Sequence, residues 1–119
     1  MANQHGIDEQ PITALPLLAA QLEAGKFAVQ AHLSLLPQAD LSPEDLTTLE
    51  RQWEESLPEL YEMFELPGQN WLSQPGLPSS TRGEVERYLE LVQEVNRLTR
   101  EAISKLKELQ RKTGNKPDL

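Results

Sequence analysis

Residues 81–109 read TRGEVERYLELVQEVNRLTREAISKLKEL, and their pattern decides the fold. Val85, Tyr88, Leu89, Leu91, Val92, Val95, Leu98, Ile103, Leu106 and Leu109 recur at three- and four-residue steps, the period of an α-helix and not of a strand. Thr81 and Glu84 make a capping box at its start, and Gly114 and Pro117 give its stop. At ~1.5 Å per residue the helix predicted here is roughly 45 Å long. Its early acids (Glu84, Glu86, Glu90) and late bases (Lys105, Lys107, Arg111, Lys112) both complement the helix dipole. Arg97–Glu101, Glu101–Lys105 and Glu108–Lys112 add i,i+4 pairs of a few tenths of a kcal/mol each.

Upstream, residues 66–80 hold Pro67, Gly68, Pro75, Gly76 and Pro78 and read as a loop that Trp71 and Leu72 pin onto the core. Before it, Ser42 as N-cap, Pro43 at the first position and the acids Glu44 and Asp45 open a second helix. Leu46, Leu49, Trp53, Leu57, Leu60, Tyr61 and Phe64 give that helix one apolar stripe. Pro58 removes a backbone donor and crowds the carbonyl of Glu54, so a kink is expected there; Ser56 and Glu59 would cap a fresh helix if the chain broke. The first helix runs from about Pro16 to Leu36, where Pro37 disfavours continuation. The sequence therefore predicts an all-α bundle of three amphipathic helices, four if Pro58 breaks the second, with a long C-terminal helix. At 119 residues it reads as a single domain over 11–113, between a polar leader at 1–10 and a short tail at 114–119, both read as flexible.

Composition narrows function. Only 38% of residues are hydrophobic and 5% aromatic, so the core is aliphatic and thin. With no cysteine, disulfides and thiolate chemistry are excluded. The first ten residues lack the apolar stretch of a secretory signal, and the longest unbroken apolar run, Leu15–Ala20, falls short of a membrane span. The expectation is a cytoplasmic protein with no membrane partner. A net charge of −8 argues against direct nucleic-acid binding. That charge is uneven: Asp40–Glu65 holds nine acids against Arg51, and Arg97–Leu119 holds seven bases against Glu101, Glu108 and Asp118.

No constellation for catalysis is present. His5 and His32 are far apart and lack a triad motif; Glu-x-x-His pairs, a calcium loop and a phosphate-binding glycine pattern are missing. Neither enzyme activity nor a cofactor nor a metal is expected. Two faces remain. The first helix is apolar on two sides: Leu15, Leu18, Leu22, Val29, Leu33 and Leu36 on one, and Leu17, Ala20, Ala24, Phe27, Ala28, Ala31 and Leu35 on the other. Either this helix is central, with neighbours on both sides, or the alanine side meets a protein partner or a second copy. The breadth of the C-terminal helix also exceeds what a slim three-helix core needs, which favours self-association or partner binding.

The second face is acidic: Glu54, Glu55, Glu59, Glu62 and Glu65. It is either a solvated helix surface or a dock for a basic partner. The basic end of the last helix could itself serve as that dock. The leading expectation is a non-enzymatic protein–protein interaction module, an adaptor, chaperone or regulator that forms a homodimer or binds a partner helix through Ala20, Ala24, Phe27, Ala28, Ala31 and Leu35. The alternative is an acidic inhibitor or nucleic-acid mimic. In size, acidity and helix order the chain resembles small bacterial export chaperones of the flagellar or type III secretion kind; no motif carries residue roles across.

Overall fold

The computed structural model describes residues 11–114; the leader with His5 and residues 115–119 lie outside it. Among the described residues there is no strand. Helix α1 spans Leu15–Leu35, preceded by a 3₁₀ turn at Ile12–Ala14 and followed by another at Leu36–Gln38. Helix α2 spans Pro43–Leu60 and opens as the sequence predicts, with the Ser42 hydroxyl accepting from the Asp45 amide at 3.1 Å.

Pro58 lies inside α2 without breaking it. The irregularity falls just beyond, where Tyr61–Glu65 form a π-helical turn and the Leu66 amide donates to the Tyr61 carbonyl five residues back. Pro67 has no amide to offer the carbonyl of Met63, which favours such a wider turn. The chain then stays helical as α3, Leu66–Leu72, so half of the loop expected at 66–80 is helix. Proline does not stop the chain here because Pro67 stands in the first turn of α3, where proline is tolerated. The true connection is residues 73–78, with Gly76 at φ +78°.

Helix α4 spans Ser79–Gly114, 36 residues and roughly 54 Å at ~1.5 Å per residue. It starts two residues before Thr81, so the Thr81–Glu84 capping box is not its first turn, and it includes Gly114, which the sequence places in the tail.

Helix α4 is the hub. Both α1 and α2 pack along it rather than on each other, and α3 caps its N-terminal half. Its buried positions, Val85, Tyr88, Val92, Val95, Thr99, Ala102 and Leu106, step by alternating threes and fours, a seam for a partner helix. Leu98 and Ile103, also buried, widen this seam so that it serves two helices at once. The breadth expected to favour self-association or partner binding is thus covered by α1, α2 and α3 of the same chain. The core follows α4 as three clusters. Leu18, Leu22, Leu60, Trp71, Val85, Tyr88, Val92 and Val95 fill one end; Val29 meets Leu98 and Ala102 in the middle; Leu36, Leu46 and Leu106 close the other. The molecule measures 67 × 29 × 18 Å, about two helix layers in its thinnest direction.

Candidate functional site

With α2 laid on α4, the second side of α1 has no neighbour. The proposal of a central α1 is therefore corrected: α1 is an outer helix with one covered face. Leu18, Leu22 and Val29 are buried against α4, whereas Leu17, Phe27 and Leu35 are 63%, 67% and 61% exposed. Ala20, Ala24, Ala28 and Ala31 are exposed between them. The six residues singled out in sequence thus fall together on one open apolar surface, with Leu17 as a seventh. Its only charged neighbours on the helix are Glu23 and Lys26, and Lys26 is drawn aside by Glu94 of α4 at 3.3 Å.

This surface runs into a groove. Because α1 and α2 touch α4 but scarcely each other, a cavity of about 210 Å³ opens between them. Gln21, Gly25 and Ala28 form the α1 bank; Ser56 and Glu59 of α2, with Met63 of the π-helical turn, form the other; Leu22, Val29, Leu60, Val95 and Thr99 lie beneath. Thr99 is polar but self-contained, its hydroxyl donating to the Val95 carbonyl at 2.8 Å, so the floor is apolar. Sequence reading omitted the floor and most of the banks. Thr99 continues the three–four alternation from Val95 and could have been found that way; Gly25 and Met63 carry no comparable signal.

One end of the groove is closed by a polar clasp. The Trp53 indole N–H donates to His32 Nε2 at 3.1 Å, with the rings edge-to-face at 5.1 Å. This geometry needs a neutral imidazole protonated at Nδ1, since His⁺ has no acceptor nitrogen. Burial holds the His32 pKa below its ordinary 6.5. A folded-state pKa below the unfolded one means that the unfolded chain takes up more protons. The clasp's contribution is complete above pH 6.5 and is lost as the pH falls from there toward the lowered folded-state value. Between about pH 7.5 and about pH 5 the melting temperature of the wild type should fall more than that of His32→Gln, whose amide oxygen accepts from Trp53 without titrating. Equal falls would exclude His32 as the cause.

The acidic face is divided by the fold. Glu54 turns toward α4 with Glu50, and Lys107 reaches both, at 3.6 and 3.3 Å. The Gln110 amide, ahead of Lys107, holds the Glu50 carboxyl below its ordinary pKa, and Glu50 in turn raises that of Lys107. The basic end of α4 thus docks part of the acidic helix, as the sequence allowed. Glu65 accepts from the Gln69 amide at 3.0 Å. Glu55, Glu59 and Glu62 are exposed and make no ion pair among the described residues.

No group of three or more His, Cys, Asp or Glu converges as metal ligands would, among the described residues. Within Ile12–Gln38 an 18-residue stretch reaches a mean hydropathy of 1.2, so this segment is long and apolar enough, by length and composition alone, to cross a membrane. No unbroken apolar run shows this in the sequence, because Glu23 and Lys26 interrupt an otherwise uncharged stretch. In this fold its inner stripe is committed to α4. Comparison of the chain with models of protein families, with curated proteins and with solved structures finds no match.

Proposed function

We propose that this chain is a non-enzymatic helical interaction module whose working surface is the outer face of α1 together with the groove beside it. The observation that carries the reading is the exposure of Leu17, Phe27 and Leu35, each above 60%, on a helix whose other face buries Leu18, Leu22 and Val29. Scattered exposed leucines need no explanation; a contiguous apolar stripe joined to a groove marks a place where another molecule sits. Between the large side chains the surface is built of alanines, which let a second helix approach closely. Helix-in-groove recognition uses this combination of open stripe and apolar trough.

The test uses Ala24→Glu and Ala28→Glu, which place a carboxylate on exposed positions of α1. Each variant should keep its helical content and lose the proteins that the wild-type chain retains from its native host. Retention of the same proteins by both variants would reject this surface as the working one. Unfolding of the variants would make the alanine face part of the core and remove the support for an interaction module.

A further inference from the structure

We propose that the groove between α1 and α2 seats an amphipathic helix of a partner protein that carries lysine or arginine along the flank lying against α2, and no required charge on the other. This rests on the reading of the chain as an interaction module and adds the chemistry of the partner.

The two banks differ in charge. The α1 bank (Gln21, Gly25, Ala28) and the open face that adjoins it (Ala24, Ala31) carry no charge, so a helix lying there meets neither attraction nor repulsion. On the α2 side, Glu59 lines the groove and Glu55 and Glu62 stand a turn to either side of it, all exposed and without an ion pair among the described residues. The acids on the other side of α2 are already served: Lys107 lies between Glu50 and Glu54. The uncompensated charge is therefore one-sided and sits where a bound helix would place one flank. Opposite charge there raises the association rate and selects the partner, while the apolar floor supplies the anchor.

Other occupants fit less well. A second copy meeting α1 face to face would use a strip 21 residues long, roughly 300 Å² per partner, against about 800 Å² per partner in a stable interface. It would also bring a second set of the same acids and another net charge of −8. An anionic lipid surface is repelled by the same rim. The chain's own first ten residues offer Asp8 and Glu9 and no lysine or arginine.

The probe is a synthetic helix of about 18 residues with a leucine stripe, made with lysines on one flank, with glutamates in their place, or with lysines on both flanks. Calorimetric titration at about 0.15 M salt reads each affinity. The one-flank lysine helix should bind about tenfold more tightly than its glutamate twin. The reversal Glu55→Lys/Glu59→Lys/Glu62→Lys should invert that order, and lysines on the second flank should add less than about twofold. Ala28→Glu should abolish binding of every helix, with the melting curve confirming the fold. Equal affinity for lysine and glutamate helices overturns the partner chemistry and leaves the interaction module standing. So does a dimer by light scattering that Ala28→Glu dissociates, or uptake by anionic vesicles without helix binding. A monomer that binds none of the helices, with or without the reversal, overturns both.

Discussion

Replacing Trp71 by alanine lowers the stability of the fold by about 3–5 kcal/mol, the range for removing a buried tryptophan from a core. Trp71 is 1% exposed and lies in the largest cluster, its ring 5.4 Å from that of Tyr88. It is the main side chain by which α3 holds α4, and α3 is only seven residues long, too short to persist by itself. Tyr88 is tied into the same region: its hydroxyl donates to the Phe64 carbonyl at 2.7 Å, and burial raises its pKa so that the donor proton stays in place. Against a total stability of about 5–15 kcal/mol, the loss should lower the melting temperature by more than about 12 °C, read by circular dichroism. A shift of under about 4 °C would mean that α3 is an appendage and not part of the core.

Two glycine-to-alanine changes should have opposite signs. In both, alanine gains up to about 1 kcal/mol of helix propensity. At Gly25, in α1, an added Cβ meets nothing within 4 Å, so that gain is kept and the protein is stabilised. At Gly68, in α3, a Cβ would lie 2.7 Å from Leu89 Cδ2 and 2.9 Å from Tyr88 Cε2. Leu89 can turn away, but the Tyr88 ring is held by Trp71 and by its bond to Phe64. Overpacking of this kind costs about 1–3 kcal/mol and outweighs the propensity gain. Urea unfolding of the two variants should move the midpoint in opposite directions. A stabilised Gly68→Ala would show that α3 does not approach α4 as closely as described.

These positions also mark how far the sequence could be read. The helical period of α4, the Ser42 cap of α2 and the two apolar stripes of α1 are local patterns, and each appears in the structure where the residues place it. Trp71 was legible as a pin, but its helix was not, because Pro67 and Gly68 are punctuation by composition. Only the tertiary contact shows that Gly68 is there to admit Tyr88. The candidate surface was half legible. Its α1 residues follow from periodicity, whereas the groove depends on α1 and α2 sharing α4 instead of packing together, a choice of pairing that no single helix encodes. The acidic face is one feature in the sequence and two in the structure, since Lys107 lies more than fifty positions from the glutamates that it neutralises.

The proposed function requires the outer face of α1 to be free surface, available to a partner. The most direct measurement is the thermal unfolding of the double variant Ala24→Glu/Ala28→Glu beside the wild type. Substitution at true surface positions shifts stability by no more than about 0.5 kcal/mol each, so the melting temperatures should agree within about 8 °C and the transition should stay cooperative. Loss of the cooperative transition would place the alanine face in the core and contradict the account.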